Sequence, residues 1–227
     1  MRRASPSTRI VRLTVADPGF AYRAGQWARL GPEAANLLAP YSIASAPEDT
    51  AQHHTIEFLV KLDAHERWGD GFPPPARGQR LAVRGPFGRF TFPDNPVERH
   101  FLFIAGGTGI APLRSMIRHA FATRLAGSYR LLYSARTPDD FAYLTELRGM
   151  ARRRELQLIV TATRGCGDRW RGDRGRVTSA QLAALIDTPA TLCFVCGPAA
   201  MVNEVPEMLS ALGIDRARVR VEENDEL

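Results

Sequence analysis

Phe101-Leu102-Phe103-Ile104-Ala105-Gly106-Gly107-Thr108-Gly109-Ile110-Ala111-Pro112 decides how this chain folds. Its apolar opening reads as a strand buried on both faces, as in parallel sheets. Glycines end the strand and let the backbone approach a phosphate, while Thr108 offers a hydroxyl. Pro112 suits the first turn of a following helix, whose amino end favours anions. A second apolar run, Thr191 to Cys196, ends the same way in Cys196-Gly197-Pro198-Ala199-Ala200-Met201. One glycine turn is weak, because tight packing of helix on strand can itself require glycine. Two such turns predict a dinucleotide phosphate site.

Outward from these turns, apolar strands alternate with helical segments: Phe101 to Ala105, Pro112 to Arg124, Tyr129 to Ser134, Asp140 to Arg153, Leu156 to Thr161, Thr178 to Ile186, Thr191 to Cys196, Ala199 to Leu212 and Arg218 to Val221. The pattern predicts an α/β doubly wound parallel sheet. Right-handed crossovers give strand order 3-2-1-4-5, which puts the two glycine turns side by side at the switch point. The spacing departs from the usual dinucleotide fingerprint: Pro112 stands where a third glycine would be, and Tyr133-Ser134-Ala135-Arg136 lacks the ribose-binding acid.

Toward the amino end the period changes. Ile10 to Val15, Trp27 to Leu30, Tyr41 to Ala44, Thr55 to Leu62, Arg80 to Val83 and Phe90 to Phe92 are short β-rich runs between turns such as Pro18-Gly19, Gly31-Pro32, Pro73-Pro74-Pro75 and Gly85-Pro86. They predict a small antiparallel β-barrel. Pro93 to Pro96 reads as a linker, placing the domains at 1–96 and 97–227.

Composition narrows the function. The 227 residues are 44% hydrophobic and 24% charged, an ordinary globular balance. No apolar run approaches the ~20 residues of a membrane helix, and Met1-Arg2-Arg3 leads into Ser5-Pro6-Ser7 and not an apolar signal core, so a cytoplasmic address is expected. The net charge of +6 rests on arginine, with Lys61 the lone lysine, and suits phosphates or an acidic electron-transfer partner. Nucleic acid is the disfavoured rival: Arg152-Arg153-Arg154 is the only arginine run, and aromatics do not interleave with it. Cys193 and Cys196, three apart on a buried strand, face opposite sides, which disfavours a metal or redox pair. His53 and His54 read as exposed residues before a strand.

Pro40-Tyr41-Ser42-Ile43-Ala44-Ser45, then Gly85-Pro86-Phe87-Gly88, the Gly106 to Pro112 turn and Cys196-Gly197-Pro198 come in this order along the chain. With them the sequence resembles the ferredoxin-NADP reductase family over essentially its whole length, in the bacterial oxygenase-reductase and hydrogenase-subunit forms. The resemblance implies a flavin-dependent NAD(P)H oxidoreductase, with FAD in the barrel and NADPH or NADH in the second domain. Tyr41 would pack on the flavin ring and Ser42 would hydrogen-bond near flavin N5. A flat aromatic and a small adjustable hydroxyl suit those tasks. Pro40 and Ile43 flank them in the cofactor motif. Gly107, Thr108, Gly109, Pro112, Gly197, Pro198 and Met201 fall to the nucleotide. Cys196 would pack beside the nicotinamide, with a nucleophilic thiol the disfavoured alternative, and Glu222 matches the family's carboxyl-terminal glutamate.

Departures from the family pattern are as informative. Relatives carry arginine before the Pro-Tyr-Ser motif, where this chain has Ala39, and the downstream phosphate loop reads Arg67-Trp68-Gly69-Asp70-Gly71-Phe72 before three prolines. Lys61 or Arg67 is the candidate replacement cation, and loosely held FAD, or FMN in its place, follows as an alternative. After Glu222 the family's aromatic is absent. Coenzyme choice falls to Arg136 and Arg164, with no acid expected nearby; Arg164 tilts the choice to NADPH by pairing with a 2′-phosphate. Neither an iron–sulfur nor a haem motif is present. The onward acceptor is then a small molecule or a separate protein, such as a ferredoxin, oxygenase or hydrogenase component. The rivals are a partner-dependent electron-transfer subunit and a degenerate nucleotide-binding module with weak flavin binding.

Overall fold

The computed structural model describes residues 1–222 except 18, 35–37 and 70. In the first half, strands β1 (Arg2–Arg3), β2 (Thr8–Thr14), β3 (Trp27–Pro32) and β4 (Ala39–Ser42) are followed by helix α1 (Pro47–His53) and strands β5 (Thr55–Lys61) and β6 (Leu81–Phe87). They make two antiparallel sheets, in the orders β1-β2-β5 and β4-β3-β6, joined by a bridge between Ile43 and Phe58. Val11, Ile43, Phe58, Val60 and Trp68 fill the space between them. The expected small antiparallel barrel takes the form of these two packed three-stranded sheets, with α1 as an unforeseen addition. Its signals are local: Pro47 fits the first turn, and Asp49 accepts from the Ala46 N–H.

The second half contains β7 (His100–Gly106), α2 (Ile110–Ala122), β8 (Ser128–Ala135), α3 (Leu144–Arg152), β9 (Gln157–Ala162), β10 (Asp173–Arg174), α4 (Ser179–Ala183), β11 (Leu192–Cys196), α5 (Ala199–Ala211) and β12 (Val219–Val221). All pair in parallel, in the order β10-β9-β8-β7-β11-β12. This is the expected 3-2-1-4-5 arrangement with one extra edge strand, β10. Alternation explains the two helical layers: Phe101, Phe103 and Phe194 pack on one face, and Leu102, Ile104 and Val195 on the other. Cys193 and Cys196 divide between those faces and are both free thiols.

Phe90 to Phe92 is not a strand. Both aromatics turn into the core between the halves: Phe92 lies 5.1 Å from Phe101 and 5.6 Å from Phe194, and Phe90 lies 6.1 Å from Phe194. Burying each ring stabilises the fold by ~1.5–3 kcal/mol. The aromatics join the antiparallel half to the amino-terminal part of β7 and the middle of β11.

Candidate functional site

The carboxyl ends of β7, β8 and β11 and the strand β4 surround one cavity of about 770 Å³. That volume suits a cofactor-sized ligand. On one side lie Gly107, Thr108, Gly109, Gly197, Pro198 and Met201. The glycines are there for different reasons. Gly107 has φ +56°, and a Cβ built on it meets no atom within 4 Å, so it combines a left-handed backbone with open space. A Cβ on Gly109 would lie 2.3 Å from the Cys196 carbonyl oxygen, so this glycine lets the two turns touch.

At the meeting of the walls, Ser42 Oγ donates to Glu222 Oε1 at 3.2 Å, and Cys196 Sγ donates to Glu222 Oε2 at 2.5 Å. Strands β4 and β11 thus converge on one carboxyl group. Burial, and then the neighbouring Glu222, holds the Cys196 thiol well above its ordinary range. Burial also raises Glu222, opposed by the hydrogen bonds from Cys196 and Ser42. A thiol so placed stays protonated at neutral pH; it is a donor and a packing group, not a nucleophile.

The other wall carries Pro40, Tyr41, Ser42, Leu59 and Lys61, extended by Ser7 and Thr8. Tyr41 is fixed from behind: its hydroxyl accepts from the Gly69 N–H at 2.8 Å, and its ring lies 5.8 Å from that of the buried Trp68. An aromatic and a hydroxyl side by side at the mouth of the nucleotide turns fit a flavin ring. The phosphate end fits less conventionally. Ala39 is only 7% exposed, a Cβ on Gly69 would meet its methyl at 2.9 Å, and Arg67 is turned to the Gly71 carbonyl at 3.1 Å. Lys61 is therefore the cation this wall offers, and it forms no ion pair among the described residues. The Asp70 position and the chain after Glu222, where the family aromatic is absent, lie outside the described residues.

Not every expected residue lines the cavity. Ile43 is fully buried in the barrel, and Pro112 is buried in the first turn of α2. Their parts are to shape the strand and the helix. Arg164 is also off the wall, its N–H bonded to the Arg136 carbonyl, whereas Arg136, Thr163 and Arg176 are on it. The expected lack of acids there is corrected too: Asp140 and Glu204 line the cavity, and Glu204 stands 3.8 Å from Arg176. Arg176 and Glu204 come from a loop and from α5, elements that a reading confined to strand ends passes over.

A two-part fold with paired glycine turns facing a Tyr-Ser strand defines a flavin- and nucleotide-type oxidoreductase. The family model for the oxidoreductase NAD-binding domain matches residues 103–207. The chain is 34% identical to ferredoxin–NADP reductase B of Sorangium cellulosum, covering 99% of this chain and 95% of that protein. It is 31% identical to the glycine betaine monooxygenase reductase subunit of Pseudomonas aeruginosa, covering 89% of this chain but 56% of that longer protein. Among solved structures, a ferredoxin NADP+ reductase from Neisseria gonorrhoeae with bound FAD and NADP superposes with a TM-score of 0.77 at 19% identity, covering 97% of this chain and 94% of that one. The chain belongs to the ferredoxin–NADP reductase-like family of oxidoreductases. Among the described residues no helix is long and apolar enough to cross a membrane.

Proposed function

We propose that this protein is an NAD(P)H-dependent flavoprotein reductase that takes a hydride from the nucleotide and passes electrons through FAD to a separate acceptor. The observation that carries this is the convergence of Ser42 from the Tyr-Ser strand and Cys196 from the nucleotide strand on Glu222. When bound, the flavin supplies a two-electron acceptor that can release its electrons singly. Thr108 and the N–H groups of the Gly107–Gly109 turn hold the nucleotide phosphates. The protonated Cys196 packs beside the nicotinamide and keeps water out. Glu222, its carboxyl pKa raised by burial, accepts hydrogen bonds from Ser42 Oγ and Cys196 Sγ and so orients both groups beside the reacting atoms.

Closed packing at Ala39 and the turned-away Arg67 support a loosely held flavin anchored by Lys61. For the acceptor, Arg29 on β3 lies directly opposite Arg84 on β6, both exposed and neither in an ion pair among the described residues. Like charges in direct cross-strand register oppose each other. Beside them stands Phe87, 41% exposed. This surface shares a sheet with Ser42 and suits an acidic electron-carrier protein. Anaerobic addition of NADPH or NADH to the flavin-reconstituted protein tests the main reading. Bleaching of the oxidised flavin band with transfer to ferricyanide is expected; a protein that takes up no flavin, or a band that persists with both nucleotides, overturns it.

A further inference from the structure

We infer that Arg114 is a positioning residue for hydride transfer, locking the segment that carries Ser42 to the helix that begins at the nucleotide turn. The inference rests on the function proposed above. Residues Ile110 to Ile117 of α2 are all buried, and this stretch includes Arg114 and Ser115. The Arg114 side chain is 9% exposed, far below what a surface arginine shows. On the barrel side it donates to the Ala44 carbonyl at 2.6 Å and pairs in charge with Glu57 Oε1, 3.2 Å away. From the nucleotide side, Glu146 Oε2 accepts from its Nε at 3.0 Å, and the guanidinium lies 4.2 Å from the Tyr143 ring centroid. Every charged partner is itself held, since Glu57 Oε2 accepts from Arg12 at 2.8 Å and Glu146 Oε1 from Arg118 at 2.8 Å.

The next residue repeats the pattern. Ser115 Oγ donates to the Ser45 carbonyl at 2.6 Å, so consecutive residues of α2 hold consecutive carbonyls of the flavin segment. Ala44 lies two residues beyond Ser42, and Arg114 lies one turn beyond the Gly107–Gly109 turn. A planar guanidinium fixes direction as well as distance, which a point charge does not. The Ser42–Glu222 contact, at 3.2 Å and partly open, is poorly suited to setting that separation alone. Arg118 provides an internal contrast. It also bridges the halves, from Glu146 to Asp49 at 2.6 Å, but Asp49 lies on α1, beyond the segment that bears Ser42. Arg118 is then a latch, and Arg114 sets the position of the reacting groups.

The test compares Arg114→Met, Arg114→Lys and Arg118→Gln in the full flavin-loaded chain, by anaerobic stopped flow with protiated and 4-deuterated nucleotide. Arg114→Met should slow flavin reduction roughly 10–100-fold, as misplacement by about 1 Å does, and raise the isotope effect. Its nucleotide KM should stay within about twofold of the parent, since the phosphate turn is untouched. Arg114→Lys, which keeps charge and fold, should fall between it and the parent. Arg118→Gln should lower Tm and leave the reduction rate unchanged. Amide hydrogen exchange, which needs no turnover, should be at least about tenfold faster at residues 43–45 in the Arg114 variants, and not in Arg118→Gln. Equal rates and isotope effects in Arg114→Lys and the parent, or equal slowing by Arg118→Gln, overturn the positioning role. A parent whose flavin neither nucleotide reduces overturns the functional reading instead, and the exchange result still decides whether Arg114 holds the segment.

Discussion

The two walls of the cavity are built from different material. The wall proposed for the nucleotide is backbone: glycines at 107, 109 and 197 and the proline at 198, with Thr108 contributing a hydroxyl. The facing wall, proposed for the flavin, is side chain: Tyr41, Ser42, Lys61 and, behind them, Trp68. Backbone recognition leaves little choice of residue, because glycine alone supplies both a left-handed φ and an absent Cβ. Side-chain recognition can be moved about the wall. On the proposed reading, Lys61 on β5 supplies the cation that the closed packing at Ala39 leaves no room for.

If that contrast is right, the largest effect in this site comes from crowding the backbone wall. Gly109→Val would drive a Cβ to within 2.3 Å of the Cys196 carbonyl oxygen. It should cost about 3 kcal/mol or more in urea unfolding, at the upper end for overpacking. Gly107→Ala, in open space, should cost only the left-handed backbone, ~1–2 kcal/mol, while obstructing the phosphates. Equal losses at the two positions would collapse the distinction between a glycine for packing and a glycine for the ligand.

Thr108→Val sharpens the same comparison at lower amplitude. Removing one hydroxyl from the phosphate turn should cost ~1 kcal/mol of nucleotide binding, or roughly fivefold in KM, with flavin content unchanged. Parallel loss of flavin in the purified protein would show that the walls are not separable.

Glu222, where the walls meet, should give a smaller and pH-dependent effect. Its folded pKa is raised by burial, so folding favours the protonated form. That contribution is complete below the unfolded carboxylate range and is lost as pH rises through the higher folded value. The parent should therefore lose thermal stability on the alkaline side of the ordinary carboxylate range, and Glu222→Gln should flatten that limb. A variant profile as steep as the parent's would assign the slope to another group.

The same division explains what was legible in the sequence. Strand order followed from apolar runs and right-handed crossovers, and both glycine turns lie where their residues placed them. Helix α1 was hidden because seven residues between two strands leave no periodicity to find. Phe90 and Phe92 read as a strand because aromatics favour strands, yet their burial against Phe101 and Phe194 depends on a domain contact that no local pattern carries. Arg114 was missed for a related reason. Within Ile110 to Ile117 a lone cation looks like the wet face of an amphipathic helix, and only the approach of β5 and α3 turns it inward. One local signal existed, an Arg-Ser pair inside a stretch that is otherwise apolar.

The smallest expected effect concerns coenzyme choice, and it separates a residue placed by sequence from one placed by structure. Arg164 follows β9, where a 2′-phosphate reader is expected, but it does not line the cavity; Arg176 does. Arg176 is well exposed, with 78% of its side chain accessible, and Glu204 stands 3.8 Å away and competes for its charge. An exposed, partly neutralised arginine contributes little, ~0.5–1 kcal/mol, or about two- to fivefold in specificity. Arg176→Ala should therefore lower kcat/KM for NADPH by that factor and leave NADH nearly unchanged. Arg164→Ala should alter both nucleotides by less than about twofold, the usual size for a surface charge off the site. Glu204→Gln should move the other way, freeing Arg176 and improving NADPH alone. All three variants are compared with both nucleotides against ferricyanide at two salt concentrations, since a screened surface contact must weaken with salt. A larger NADPH loss in Arg164→Ala than in Arg176→Ala would return the role to the strand end.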